Sequence, residues 1–429
     1  MKLLHHAKPM AWLSVIVVSS LLSACGGGAD DSNSTNSDQW QIARQDVTIT
    51  GTNPAVCNTQ TSEVNWDALL EANCHNLSDY NLFKNPSDPT QDPQTPGIPY
   101  ELNTQLFTDY ASKYRFVFVP DGKAAQFSDH EVMEFPIGSV LVKTFSIPEN
   151  TSDLLGNEHV VETRLLIHRE SGWEAVPYYW SSEDDAQYLS YGATIPASTT
   201  HKGKELTFNY GVPTKNECTN CHAIQPIRDE KKYPDDERVS IFKPIGPKAR
   251  FLNWDYDYGS GEIKNQLTKW EEAGILTGVP TNKESIEKAV KFHNNTDIPN
   301  LTSDELDLAA RSYLDINCAH CHRSELTLQE PDYSGPAGDS GLRLEFNRNF
   351  DTDKLSFGIC KKAVASGEPG YPLDIIPGYA DKSFLLYRMD ILGGKMMPEL
   401  GRDTIHSEGV ELIKAWINNM TPNNCGLDL

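Results

Sequence analysis

The sequence predicts an α+β multidomain chain: a β-rich N-terminal domain, a helical bridge and an all-α domain at the C-terminus. Three observations predict it. Short runs of β-branched and aromatic residues, punctuated by turn residues, occur within 46–242. Apolar residues at helical spacing follow in 243–300. A capping-box pattern, Thr302-Ser303-Asp304-Glu305, then opens 301–429. The 429 residues are 38% apolar and 23% charged, an ordinary globular balance that argues against wholesale disorder and against a polytopic membrane protein.

Residues 1–24 read as a secretion signal. Lys2 and Lys8 form its basic start, and Ala11–Leu22 is an apolar stretch too short to span a bilayer. It ends in Leu22-Ser23-Ala24-Cys25, followed by Gly26-Gly27-Gly28, and resembles a bacterial lipoprotein signal. The resemblance implies cleavage before Cys25, lipidation of that thiol and an outer-membrane destination. The mature chain would hold 405 residues, and loss of Lys2 and Lys8 moves the formal charge from −23 to −25. Residues 25–45, rich in Gly, Ser, Asn and Asp, read as a flexible tether.

In 46–242 the expected strands are Tyr114–Val119, Ser139–Phe145, Thr163–Ile167 and Glu174–Trp180. In 243–300 the expected helices are Ile263–Ala273 and Lys283–Phe292. In 301–429, Leu306, Ala309, Ala310, Tyr313 and Leu314 lie on one helical face. After Ser407, so do Val410, Ile413, Trp416, Ile417 and Met420.

The cysteines carry the chemistry. Cys218-Thr219-Asn220-Cys221-His222 and Cys318-Ala319-His320-Cys321-His322 are two copies of C-x-x-C-H, the attachment motif of c-type haem. Thiols three positions apart reach the two vinyl groups of one porphyrin, and the following histidine serves as proximal iron ligand. The competing assignments are a zinc site or a redox dithiol, and an exported chain argues against both. Two covalently attached haem c groups are therefore expected. His320, between the second pair of cysteines, reads as a surface residue. With Cys25 also set aside, Cys57, Cys74, Cys360 and Cys425 remain. Four thiols in an oxidising compartment make two disulfides. Local pairing, Cys57–Cys74 and Cys360–Cys425, is preferred among the three arrangements.

The order of helix, C-x-x-C-H, loop, Met396-Met397-Pro398 and a terminal helix with Ala415-Trp416-Ile417 resembles a class I cytochrome c domain. That resemblance implies His322 as proximal and Met397 as distal ligand, with Met396 as the neighbouring alternative. The stretch from Cys321 to Met396 is longer than in that family, with an insertion around Gly335–Cys360 expected to cover a haem edge or form a partner surface. Phe135-Pro136-Ile137-Gly138, Lys143, Trp173 and the first C-x-x-C-H, in that order, are similar to β-sheet cytochromes of the c-prime-beta group, which hold a five-coordinate haem against a sheet. Nearly the whole chain resembles an uncharacterised family of bacterial di-haem c-type cytochrome lipoproteins, through "PYELNTQLFTDYASKYRFV", "FPIGSVLVKTF", "ETRLLIHR" and "IGPKARFLNWDY".

His222 is the expected proximal ligand of haem 1. No methionine lies between His222 and Met389, so its distal side stays open among Met133, His130, His159, His168, His201 and His75. An empty site lined by Lys143, Tyr178, Tyr179 or Arg164 is the other arrangement. The expected function is electron transfer between periplasmic or outer-membrane redox partners. The strong negative charge favours basic protein partners and disfavours nucleic acid. The competing reading is a haem enzyme or gas sensor that binds a small ligand at haem 1, with haem 2 as relay. A docking role for the β-rich domain is the third.

Overall fold

The computed structural model describes residues 50–153, 156–226, 240–323, 333–364 and 368–429. The expected signal, the lipidation site Cys25 and the tether lie outside these residues.

The four expected strands form the middle of a six-stranded antiparallel sheet of order β1–β2–β4–β5–β6–β7. These are β1 (Ile98–Pro99), β2 (Ser112–Phe118), β4 (Val140–Pro148), β5 (Glu158–Arg169), β6 (Gly172–Tyr179) and β7 (Gln187–Tyr188). Both faces are covered. On one, Phe116, Phe118, Val142, Ile167 and Tyr178 pack with Leu69 of α1 (Trp66–Glu71). On the other, Val117, Leu141 and Leu166 join a core with Phe251 of α3 (Ala249–Leu252) and Trp270 of α4 (Gln266–Glu272). Further along that second face, Phe145 and Tyr179 pack under a hairpin of β8 (Ala193–His201) and β9 (Lys204–Val212). Sequence reading missed this hairpin. Its two-residue turn is Lys202-Gly203, with φ of 48° and 75°. Lys-Gly takes the left-handed geometry that Asn-Gly would have advertised.

Shorter pairs complete the sheet content. β3 (Ala125–Gln126) runs parallel to β14 (Leu276–Thr277), and β12 (Asp255–Asp257) pairs with β13 (Ile263–Asn265). β10 (Ala223–Pro226) lies between β11 (Ile241–Phe242) and β15 (Tyr333–Ser334).

The expected fold class is corrected beyond residue 243. Of the two bridge helices, α4 forms, capped by Asn265, whose side chain accepts from the amides of Leu267 and Thr268. Lys283–Phe292 does not; only a 3-10 turn, Lys283–Ser285, is present. Its later amides are spent elsewhere, Ala289 donating to the Arg250 carbonyl (2.9 Å) and Phe292 to that of Asn103 (2.9 Å).

The C-terminal region is not an all-α class I cytochrome c domain. Its α5 (Ser303–Leu314), α6 (Phe384–Met389) and α7 (Ser407–Asn419) span only 12, 6 and 13 residues. Between α5 and α6 the chain is largely irregular. It contributes β15 to a sheet, and bridges join Ile359 to Ile375 and Lys362 to Leu373. Gly341, Gly358, Gly370 and Gly378 adopt φ of 66°, 101°, 94° and 80°, which no helix accommodates. All described residues belong to one compact, β-rich unit. No helix among them is long and apolar enough to cross a membrane.

Cys57 pairs with Cys74 and Cys360 with Cys425, the local arrangement, at sequence separations of 17 and 65. The longer loop constrains the unfolded chain more. Replacing Cys360 and Cys425 together by serine should lower unfolding stability by about 4 kcal/mol, against about 3 kcal/mol for the other pair. Urea unfolding of the two double variants checks the order.

Candidate functional site

Each C-x-x-C-H motif folds into a single helical turn. In α2 (Thr219–His222), the amides of Cys221 and His222 donate to the Cys218 carbonyl at 3.3 and 3.0 Å. The amides of Cys321 and His322 donate to that of Cys318 at 3.1 and 2.8 Å. Residues i, i+3 and i+4 of such a turn share one side, so each motif presents two thiols and an imidazole together.

The second motif is delivered by α5. Its start is the capping box seen in the sequence, the Glu305 amide donating to Thr302 Oγ1 at 3.3 Å and the Thr302 amide to Glu305 Oε2 at 2.9 Å. Ala309, Ala310, Tyr313 and Leu314 pack with Leu412, Ile413 and Trp416 of α7. The last turn widens into a π-helix, Asp315–Ala319, which carries Cys318. Asp315 is fully buried and holds two buried cations. Arg250 Nε and Nη2 donate to it at 2.9 and 2.6 Å, and Lys248 Nζ at 3.1 and 3.2 Å. These cations, with burial opposing them, hold the Asp315 carboxyl at about 2.

Both imidazoles are neutral, and each Nδ1 has a partner. His222 Nδ1 lies 2.7 Å from the Lys243 carbonyl, an acceptor only, so that nitrogen carries the proton and Nε2 keeps its lone pair. The ring stacks on Phe242 at 4.8 Å. His322 Nδ1 is 3.1 Å from Ser340 Oγ. Burial pushes both imidazoles down to about 4, so neither carries charge near neutrality.

Cys318, Cys321 and His322 line a mainly apolar cavity of about 460 Å³, and Met397 lies on its wall. Met396 does not. The Met397 amide donates to the Arg388 carbonyl (2.9 Å) and its carbonyl accepts from Arg402 Nη2 (3.0 Å). Arg402, 7% exposed, also donates to the carbonyls of Thr404, Arg388 and Ile391. It therefore clamps the methionine loop, a role that nothing in the sequence marked. The insertion after Cys321 also reaches this cavity, through Pro336, Ala337, Ser340, Leu342 and Leu344. Gly335 permits the approach: a Cβ there would lie 2.4 Å from the Cys321 carbonyl oxygen.

The two motifs, a hundred residues apart, meet. Cys221, Cys321 and His320 bring their ligand atoms within 4.8 Å of one another, and Cys321 Sγ is 3.3 Å from the Asn220 carbonyl. Cys321 and His320 beside it hold the Cys221 thiol below its ordinary range, and the same contact raises Cys321. His320 is half-buried at this junction, rather than the surface residue expected.

A second cavity, about 840 Å³ and more polar, borders Cys221 and His222. Of the distal candidates for the first motif, His130 lines it. Met133 is in the apolar core (2% exposed), and His201 is spent on Thr151 (2.8 Å) and Glu408 (3.0 Å). His168 stacks on Trp173 and bonds the Phe135 carbonyl. His159 sits on β5 opposite Ile147, and the His75 carbonyl accepts from Tyr188. Tyr178 packs on the far sheet face against Tyr80, and Tyr179 belongs to the core under the hairpin. Lys143 and Arg164 share one sheet face and lie near enough to the first motif to act electrostatically on His222 and Cys218.

Comparison with family models, curated proteins and solved structures finds no match.

Proposed function

We propose that the chain is an exported di-haem c-type cytochrome that passes electrons between protein partners. The carrying observation is that Cys318, Cys321 and His322 share one largely apolar cavity with Met397. Its volume of about 460 Å³ lies within the ~300–1,000 Å³ of cofactor sites. A haem attached at each motif would supply reversible one-electron chemistry at its iron. Cys218 and Cys221 would hold one haem and Cys318 and Cys321 the other. His222 offers an unprotonated Nε2, and His322 a neutral imidazole, as proximal ligands. Met397, clamped by Arg402, offers its thioether to the second iron, which favours the reduced state and closes that iron to substrates. The contact of Cys221 with Cys321 supports a relay, because it leaves no protein layer between the attachment points. Lipid at Cys25 would anchor the mature chain to the outer membrane, and its charge of −25 would steer basic redox partners toward it.

The polar cavity beside His222 favours one further reading, a haem enzyme or gas sensor with a small ligand at haem 1. One experiment separates the two. Residues 25–429 are expressed with haem-attachment machinery, covalent haem is counted, and the reduced spectrum is taken with and without CO. The electron carrier is expected to show two haems per chain and no change with CO. A shift in about half the haem absorbance would replace it with the enzyme or sensor. Absence of covalent haem, with zinc bound by Cys221, Cys321 and His320, would overturn both.

A further inference from the structure

One face of the central sheet carries a belt of cations between two apolar clusters. Arg115 of β2 sits opposite Lys143 of β4, and Lys143 opposite Arg164 of β5. Lys113 stands two residues from Arg115 on the same face. Like charges directly opposite one another across strands repel. Arg115 is also withdrawn from water, at 4% exposed, while Lys113, Lys143 and Arg164 are half-buried. Among the described residues only Glu162 pairs with the belt. It is chelated by Arg164 at 2.6 and 2.7 Å and also accepts from Tyr210 at 3.0 Å. Arg115 reaches just the Lys113 carbonyl (3.4 Å) and Gln105 Oε1 (3.5 Å), both long bonds. Lys143 Nζ and the Arg164 guanidinium lie 4.7 and 4.4 Å from the Phe145 ring centre. Burial, then Arg115, pushes the Lys113 amine down to about 7, and the same causes lower Lys143. A buried cation without a counter-charge costs several kcal/mol. Glu162 supplies that counter-charge to Arg164, whereas no carboxylate among the described residues pairs with Arg115 or Lys143.

The belt lies beside the first motif. β11 packs on β6 of the same sheet, and Phe242 of β11 stacks on His222. Lys143 acts electrostatically on His222, and Arg164 on Cys218.

We propose that Arg115, Lys143 and Arg164 form a carboxylate-binding site, occupied by the two propionates of the porphyrin held at Cys218 and Cys221. The occupant rests on the di-haem reading; the carboxylate chemistry rests on the belt alone. The test uses the mature, haem-loaded chain, with covalent haem counted first. Lys143→Met keeps the side-chain stem and removes the charge. It should lower the midpoint potential of one haem and leave the other unmoved, because a nearby cation favours the reduced iron. Lys143→Arg should restore the wild-type value; an equal drop there would sink the proposal. If Lys143→Met yields no folded protein, Arg115→Met is read in the same way.

A parallel arm adds succinate and follows thermal unfolding. A rise in the wild type that Lys143→Met abolishes, with potentials unmoved, would keep the carboxylate site and overturn the propionate assignment. Unmoved potentials with no succinate effect would overturn the site altogether. If no covalent haem is found, the di-haem reading fails, and the succinate arm alone decides whether the belt binds carboxylates.

Discussion

Asp315→Ala is expected to cost about 3–5 kcal/mol of unfolding stability. The magnitude comes from what stays behind. Arg250, 1% exposed, and Lys248, 5% exposed, would be left as two buried cations sharing no carboxylate. Removing all three charges together, with Arg250→Met and Lys248→Met, should recover much of the loss, because uncompensated charge rather than lost volume is the cause. Chemical denaturation of the single and triple variants measures both. The pH dependence follows from the sign of the shift. Asp315 ionises at about 2 in the folded chain, below its ordinary 3.8. Its contribution is therefore complete above about pH 4 and disappears as pH falls toward 2. That shift corresponds to about 2 kcal/mol. In the Asp315→Ala variant this acid-sensitive share should be missing. Asp315 opens the turn that carries Cys318, so on the proposed di-haem reading covalent haem at the second motif should fall with stability.

Met397→Ala in the haem-loaded protein is expected to open one haem to CO and lower its midpoint potential, whereas Met396→Ala leaves both nearly as they were. The two methionines are adjacent in sequence, but Met397 is on the cavity wall. On the proposed di-haem reading, losing the thioether would leave a coordination position vacant and remove the ligand that stabilises ferrous iron. Arg402→Ala is the graded version. It deletes four hydrogen bonds to the carbonyls of Thr404, Arg388, Ile391 and Met397 while sparing the thioether itself. It should give partial CO binding that rises with temperature as the loop loosens. If Met396→Ala admits CO and Met397→Ala does not, the ligand assignment is reversed.

Much of the local structure was legible. The strands around Phe116, Val142, Leu165 and Val176 are short, β-branched and bounded by turns, so neighbouring residues carry the signal. The capping box at Thr302 and Glu305 is likewise local, and α5 begins where it should. Lys283–Phe292 shows the limit of such reasoning. Its apolar spacing suits a helix, yet Ala289 and Phe292 give their amides to partners far along the chain. The all-α expectation for the C-terminal region failed for a related reason. Family-like wording near Cys318 and Met397 says nothing of the glycine-rich stretch between, where positive φ values and a strand take over.

By itself the sequence determined which atoms can do chemistry: two paired thiols each followed by an imidazole, a Met-Pro turn, and four further cysteines, enough for two disulfides. These depend on spacing along the chain, and covalent geometry makes spacing informative at short range. Only the tertiary structure decided how the pieces meet. Cys221 meets Cys321 and His320, Met397 rather than Met396 lines the cavity, Arg402 clamps that loop, and Arg115, Lys143 and Arg164 align across three strands. Those contacts range from five positions apart, in the Arg402–Met397 clamp, to a hundred, where Cys221 meets Cys321. They are set by strand register and by burial of four apolar clusters against one another, which no local pattern encodes.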